Sequence, residues 1–170
     1  ENKKTVVESV KAFFESSDNV TRDDFYNFTN VFLNKLPELS GIMWAPRYLH
    51  SEVGKLDKEF QKIYDKTFSD INKTAAINEQ KIVYPVMYAE PFYRMVSFVG
   101  HDISNSFGPG EMELSYSQRN EFLVGFRTNE VEDESHLFLN LYFPVYYIST
   151  HKLNGYVASE INFSKLIDNT

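Results

Sequence analysis

The chain has 170 residues, 42% of them hydrophobic, which is enough to bury the core of one domain. Acidic residues outnumber basic ones by 24 to 17, and the net charge of −7 repels phosphate backbones, so we expect no nucleic-acid partner. The lack of cysteine excludes disulfides, thiol catalysis and thiolate metal sites, and it fits an oxidising compartment.

The N-terminal third has the apolar spacing of two helices. In the first, Val6, Val10 and Phe13 form a stripe that either packs on the same chain or pairs with its copy in a homodimer. The second is capped by Thr21, with Asp24 at its third helical position near the positive end of the helix. Its apolar stripe, which stops before Pro37, comprises Phe25, Phe28, Phe32, Leu33 and Leu36.

The middle of the chain mixes strands and helix. We predict a strand over Leu39–Leu49, a third helix from Ser51 to about Lys66, and irregular polar chain over Thr67–Gln80. Runs rich in Val, Tyr and Phe predict two further strands, Ile82–Ala89 and Met95–Gly100.

The residue pattern of the C-terminal part predicts one long helix, a set of hairpin strands and a short last helix. Helices first, and then strands joined by short hairpins, indicate an α+β fold with an antiparallel sheet. The expected elements are a loop at Asn105–Gly110, a helix at Glu111–Val124 with Gly125 just past its end, strands at Arg127–Val131, Leu137–Ile148 and Gly155–Phe163, and a last helix at Ser164–Asp168.

Four short blocks stand in a fixed order along the chain. They are IMWAPR at Ile42–Arg47, the Pro-Val-x-Tyr-x-Glu-Pro run and the Gly-x-Asp triplet within Tyr84–Asp102, and FPVY at Phe143–Tyr146. In this order they resemble the CHASE domain family, over roughly Asp24 to Ile167. That family comprises extracytoplasmic sensor domains of bacterial, plant and amoebal signalling receptors.

The resemblance implies PAS-like lobes behind a long N-terminal helical segment. We expect N-terminal helices over 1–37, a membrane-distal lobe over 38–131, and strands of a reduced membrane-proximal lobe over 132–170. The chain begins at Glu1, and its longest nearly apolar run, Leu137–Ile148, is too short to cross a bilayer. We therefore expect the periplasmic or extracellular portion of an inner-membrane protein, tethered by segments outside this chain.

A ligand site is predicted around the strand Tyr84–Glu90. Strand alternation places Tyr84, Val86, Tyr88 and Glu90 on one face, where two rings and a carboxylate suit a flat or cationic ligand, such as a purine-like molecule or an amine. The alternative is that the tyrosines pack on a helix and Glu90 ends the strand in solvent.

Further site residues come from the resemblance and from position. Trp44 matches the family's aromatic position, although a strand Trp also suits a core, and Asp102 holds the Gly-x-Asp position, where it either contacts ligand or caps a turn. Phe98 would line the same lobe. Arg127, if it turns inward, would bind a carboxylate or phosphate, and Thr128 lies near the Thr that plant members present to cytokinins. Plant members also use an Asp where this chain has Glu90-Pro91, which is the bacterial pattern.

We expect no catalysis, no metal and no cofactor. The sequence has no nucleophile elbow and no glycine-rich phosphate loop, and its four histidines, such as His101, stand alone. A carboxylate hydrolase would need two of Glu90, Asp102 and Glu160 in one cleft. The predicted function is ligand sensing for a histidine kinase or cyclic-dinucleotide enzyme; the alternative is a ligand-free dimerisation or periplasmic protein-binding module.

Overall fold

The computed structural model describes residues 3–67, 81–131 and 134–168, and the predicted irregular chain up to Gln80 lies mostly outside these ranges. The helices are α1 (Lys3–Glu15), α2 (Arg22–Leu33), α3 (Val53–Tyr64), α4 (Phe92–Met95), α5 (Glu111–Ser117) and α6 (Phe163–Asp168). The strands are β1 (Leu39–Pro46), β2 (Tyr48–Leu49), β3 (Ile82–Val83), β4 (Tyr88–Glu90), β5 (Leu123–Val131), β6 (Glu134–Tyr146) and β7 (Leu153–Asn162). Within the described ranges, no helix has the length and apolar content needed to cross a membrane.

The start of α2 confirms the predicted cap. The Thr21 hydroxyl accepts a hydrogen bond from the Asp24 amide at 3.2 Å, and the Asp24 carboxylate accepts one from the Thr21 amide at 3.0 Å. These reciprocal bonds satisfy amide groups that the first helical turn leaves without partners.

Five strands form one antiparallel sheet in the order β4-β1-β7-β6-β5, and β2 and β3 form a separate pair. The expected α+β class, with N-terminal helices before a PAS-like antiparallel sheet, is confirmed. The expected lobe boundary at residue 131 stays a prediction; β5 and β6, on either side of it, pair with each other, and β7 pairs with β1. The C-terminal strands therefore complete the first sheet.

One face of the sheet, here called the helical face, is covered by α1 and α2. Phe14 of α1 stacks on Trp44 of β1 with 4.2 Å between ring centroids, and Phe13 stacks on Phe28 of α2 at 4.4 Å. Val6 and Val10 of α1 are fully buried. The apolar stripe of the first helix is therefore packed inside the chain.

The opposite face, the cover face, lies under residues 91–117, here called the cover segment. It contains α4, two 3-10 turns and α5. The predicted strand Met95–Gly100 is wrong: Glu90 accepts a hydrogen bond from the Phe92 amide at 2.9 Å, and the chain turns helical from there. Met95 then packs over Gly41 of β1, which has no side chain to oppose it. Burial of Met95 outweighs the strand propensity of its neighbours.

Two other predicted elements are shorter than expected. The helix from Glu111 ends at Ser117, and Gly125 lies inside β5 instead of at a helix end. A side chain at Gly125 would lie 3.2 Å from the Tyr142 ring, so the glycine admits a close ring contact. The predicted strand Ile82–Ala89 is broken into β3 and β4. Between them, Pro85 forms an isolated bridge with Asp102 of the cover segment.

Candidate functional site

Two of the predicted ligand rings belong to the core of the helical face. Trp44 is buried under Phe14, and Tyr88 packs against Phe25 of α2 with 5.6 Å between ring centroids. The Tyr88 hydroxyl donates to the Val20 carbonyl oxygen at 3.2 Å, and burial raises the pKa of Tyr88. Both rings therefore take part in helix packing, which is the alternative that the sequence left open, and their assignment to a ligand pocket stays a prediction.

Glu90 lies at a site where rings and a carboxylate meet, as predicted, but the rings are different ones. The guanidinium of Arg22 lies 5.0 Å from the ring centroid of Phe92 and 5.8 Å from that of Tyr64, and its Nη2 is 3.9 Å from Glu90 Oε1. A cation from the same chain therefore occupies the place that the sequence predicted for a ligand amine.

Asp102 has the capping role that the sequence left open. Its Oδ1 accepts hydrogen bonds from the amides of Tyr84 and Ser104, each at 3.0 Å, and from the Ser104 hydroxyl at 2.8 Å. Its Oδ2 lies 3.5 Å from the Lys81 ammonium. Asp102 therefore ties the chain before β4 to the cover segment.

Tyr84 faces the cover segment and joins a charged cluster. Its ring meets Tyr156 of β7 edge to face at 5.3 Å, and its hydroxyl donates a short hydrogen bond to Glu113 of α5. Arg47 donates to both oxygens of Glu113, at 3.0 and 2.9 Å. Burial alone would raise the pKa of Glu113, but the bonds from Arg47 and Tyr84 outweigh it and lower the pKa. This cluster holds α5 to the end of β1.

The centre of the cover face carries two buried polar side chains in one row. Glu160 of β7 lies opposite Gly41 of β1 on one side and opposite Asn140 of β6 on the other, and Asn140 in turn lies opposite Gly125 of β5. Directly paired residues point to the same face. We call these four residues the polar row. Its outer positions are glycines, and the cover-segment side chains Met95 and Phe107 lie over them.

Glu160 is neutralised by Arg127, a predicted site residue. Glu160 is 3% exposed, and one of its oxygens accepts hydrogen bonds from Arg127 Nε at 3.2 Å and Nη2 at 2.9 Å. Burial raises the pKa of Glu160, and the guanidinium opposes that rise. The guanidinium also lies 5.1 Å from the ring centroid of Phe98 and 4.5 Å from that of Phe138.

The structure thus brings together Arg127 and Phe98, as predicted, with Glu160 between the strands. Thr128 follows Arg127 in β5, with its backbone opposite Leu137, and its side chain lies outside the described part of the structure. The remaining predicted residues lie elsewhere, on the helical face or at the edge of the cover segment.

Asn140 is the functional candidate that sequence reasoning missed. It is buried, and its Oδ1 has no hydrogen-bond partner among the described residues. Leaving such a group without a partner costs about 1–3 kcal/mol, so a hydrogen-bond donor placed at this oxygen would be stabilising. A signal was present, because Asn140 interrupts the longest nearly apolar run of the chain.

A cavity of about 440 Å³ opens beside the polar row. It is lined by Tyr84, Phe107, Met112 and Glu113, among others. Phe107 also meets the ring of Tyr142 edge to face at 5.1 Å and lies over Gly125, so it borders both the cavity and the polar row. Burial, with the nearby Glu160 charge, raises the pKa of Tyr142 to about 12, so its hydroxyl stays protonated.

This arrangement is suited to binding. Glu90 and Glu160 point to opposite faces, because Ile42 pairs with Glu90 on one side and with Ser159, the neighbour of Glu160, on the other. Asp102 is engaged as a cap. Glu90 and Glu160 therefore do not share one cleft as the pair considered for hydrolysis would have to.

Two solved structures are similar to this chain. The extracellular domain of mmHK1S-Z3, a protein named as a histidine kinase, shares the fold with a TM-score of 0.50 and 14% identity over 96% of this chain. The periplasmic sensory domain of the Campylobacter jejuni chemoreceptor Tlp1 gives a TM-score of 0.43 and 10% identity over 97% of this chain.

The chain spans only about half of these two proteins, 52% and 53% of their lengths. No curated protein matches it in sequence. The family model of the CHASE domain matches residues 18–170. Because that match covers most of the chain, the protein belongs to the CHASE domain family, the extracytoplasmic sensor domains of membrane signalling receptors.

Proposed function

We propose that this domain senses a small molecule that binds on the cover face, against the polar row. The observation that carries the proposal is the buried Oδ1 of Asn140, which has no partner among the described residues and lies beside the Glu160–Arg127 pair. A sensor needs a recessed place with a few fixed polar groups, and these three side chains provide one beneath a cover that is not part of the sheet.

The ligand class follows from the groups on this face. A ligand N–H donates to Asn140 Oδ1, and a second donor reaches Glu160. Phe98, Phe107 and Tyr142 offer rings for a planar body. A purine-like molecule or a planar amine satisfies all three demands. The cavity of about 440 Å³ is large enough to admit such a molecule.

Signalling would use the cover segment as the moving part. A ligand that binds more tightly to one position of this segment biases the domain toward it by that difference in affinity. The output is a histidine kinase or a cyclic-dinucleotide enzyme inside an inner membrane, reached through flanking segments outside this chain, with two copies of the receptor acting as a homodimer.

The test is thermal unfolding of the purified domain against purines, planar amines, polyamines, amino acids and simple carboxylates. A ligand at one hundred times its dissociation constant adds about 2.7 kcal/mol to the free energy of unfolding. We expect a purine or planar amine to do so, and Glu160→Gln and Asn140→Leu each to weaken its binding at least about tenfold. The control Glu121→Gln removes an exposed carboxylate that pairs with Lys4 of α1, and it should leave the affinity unchanged.

Two results would contradict this assignment. A panel without any hit removes the small-molecule proposal. If a ligand still binds Glu160→Gln and Asn140→Leu but no longer binds Glu90→Gln, the ligand site lies at the edge of β4, around the strand Tyr84–Glu90 as predicted from the sequence.

A protein-binding role is the second candidate, and one surface favours it. Tyr147 and Ile148, in the turn between β6 and β7, are 50% and 66% exposed and border a cleft of about 920 Å³. Adjacent exposed apolar side chains of this kind are common at protein interfaces. If the panel gives no hit, Ile148→Asp should abolish binding of a periplasmic protein partner without changing the melting temperature.

A further inference from the structure

We propose that the domain has a second ligand site, distinct from the polar row, that binds a small organic carboxylate through Arg22. The site is a cleft of about 760 Å³ between the C-terminal end of α3 and the cover segment. Its volume is in the range of small-molecule sites. None of the four residues of the polar row is among those that line it.

The guanidinium of Arg22 packs against two aromatic rings. Tyr64 and Phe92 are nearly parallel, with an interplanar angle of 13° and 5.9 Å between centroids, and Arg22 lies over both. The Tyr64 hydroxyl donates to the Met87 carbonyl oxygen at 2.7 Å, which fixes that ring. A planar guanidinium held this way loses little freedom when it binds a carboxylate.

Arg22 retains donors for a ligand. Among the described residues, the only carboxylate within 4.0 Å is Glu90, and its Oε1 is 3.9 Å away, too far for a hydrogen bond. The other Glu90 oxygen accepts from the Phe92 amide. Arg22 also interacts with the Tyr64 hydroxyl, which opposes the burial that raises the pKa of Tyr64 to about 12. A guanidinium has five N–H donors, so a pair remains for a bidentate carboxylate.

The charges around the cleft favour an anion. Lys62 and Lys66 line it together with Arg22, whereas its one lining carboxylate, Asp65, accepts a hydrogen bond from Gln61 at 2.9 Å. The whole chain carries −7, so this is a local positive region on an acidic protein. Such a region raises the local concentration of small anions, and the effect falls with ionic strength.

The walls of the cleft require an apolar part in the ligand. Ile63, Val96 and Val99 line it, and Val96 is 49% exposed. Covering these side chains removes apolar area from water, which favours binding. A carboxylate with an aromatic or branched aliphatic body therefore fits better than acetate or inorganic phosphate.

The test uses benzoate as the probe, with benzylamine and acetate as comparators of charge and of apolar body. Calorimetric titration of the domain should show benzoate binding, weaker binding of acetate, and none of benzylamine. Arg22→Gln should weaken benzoate binding at least about tenfold, which is 1.4 kcal/mol. Lys62→Gln, a change at an exposed position that leaves the fold intact, should weaken it two- to fivefold.

Two control variants separate this site from general charge effects and from the polar row. Arg94→Gln removes an exposed arginine of α4 that stacks on Tyr93 outside the cleft, and it should leave benzoate affinity unchanged. Glu160→Gln should also leave it unchanged, so failure here and failure of the proposed sensor site are distinguishable. The proposal is overturned if benzoate does not bind at 10 mM, if Arg22→Gln and Arg94→Gln bind it equally well, or if benzylamine binds in its place.

Discussion

At the scale of single residues, Arg127 compensates the charge of a buried carboxylate. Its guanidinium neutralises Glu160 and lies against Phe98 and Phe138. A buried carboxylate without this partner would have to take up a proton or leave the interior. The pair therefore keeps a carboxylate on the cover face, beside the buried acceptor oxygen of Asn140.

Glu113 provides a prediction at the same scale, because its lowered pKa links stability to pH. A carboxyl whose pKa falls on folding stabilises the native state above its ordinary pKa of 4.5, and this contribution disappears as pH falls through the lower, folded value. Glu113→Gln should therefore lower the free energy of unfolding by about 1–3 kcal/mol at pH 7 and by much less at pH 3. Urea unfolding at both pH values measures the difference.

The matched variant for this experiment is Glu8→Gln. Glu8 is an exposed residue of α1 that lies 3.7 Å from Lys4, and its removal should change the free energy of unfolding by less than about 0.5 kcal/mol at either pH. A loss in Glu113→Gln that is as large at pH 3 as at pH 7 would mean that Glu113 acts through packing, with no part for its charge.

At the scale of elements, the cover segment departs most from the sequence-based expectation. Its residues favour strand by composition, yet Met95 closes over Gly41 and the chain forms short helical turns instead. A strand over Met95–Gly100 would have needed a neighbour to pair with, whereas helical turns satisfy their own backbone groups. The proposed ligand site lies between this segment and the sheet, because the segment crosses the sheet without joining it.

Close approach of β1 and β7 gives a prediction about glycine. A side chain on Gly155 would lie 2.8 Å from Pro46 Cα and 2.8 Å from the Trp44 ring, and it would also meet the Ala45 carbonyl oxygen. Because backbone cannot yield as a flexible side chain does, Gly155→Ala should destabilise the domain by about 1–3 kcal/mol. Thermal unfolding measures the change.

Gly54 in α3 is the matched control, because a side chain there would meet nothing within 4 Å. Gly54→Ala should leave stability unchanged or raise it by up to about 1 kcal/mol, through helix propensity. Equal effects at Gly54 and Gly155 would contradict the close packing of β1 against β7.

At the scale of the whole molecule, one continuous sheet joins the first and last thirds of the chain. β1 lies between β4 and β7, and α1 packs on the helical face of the same sheet. Displacement of the cover segment on one face therefore reaches α1 through the sheet, whereas α2 also contacts the segment directly, through Arg22 against Phe92. The sheet is the route we propose for the signal, since packed strands transmit small shifts without deforming freely.

The buried stripe of α1 leads to a prediction about association. Val10 is fully buried inside the chain, so Val10→Asp should destabilise the domain by at least about 3 kcal/mol at every protein concentration. Ala12→Asp, on the exposed side of the same helix, should leave the melting temperature within 2 °C of the wild type. If α1 mediates the proposed homodimer, Ala12→Asp should weaken association in sedimentation velocity while folding is retained.

The opposite pattern would overturn this packing. If Val10→Asp kept its melting temperature and only dissociated a dimer, the stripe would be an interface between two copies, as the alternative interpretation of the sequence had it.

The sequence by itself determined the family, the α+β class and most helix positions, because these depend on local patterns. Thr21 and Asp24 cap α2 whatever surrounds them, and the order of the IMWAPR, Pro-Val and FPVY blocks is read directly along the chain. It also predicted that Arg127 and Phe98 share one lobe, and the guanidinium and the ring centroid lie 5.1 Å apart.

Only the tertiary structure decided which residues share a face. Tyr88 and Glu90 suit a ligand by composition, but strand pairing turns both toward α2. There Phe25 packs against Tyr88, and Arg22 lies beside Glu90. Asn140 and Glu160 are twenty residues apart and become neighbours only when β6 pairs with β7 in this register. Register is set by the packing of both faces at once, and a shift of one residue would move every side chain to the other face. That is why the polar row could not be predicted from any single stretch of the chain.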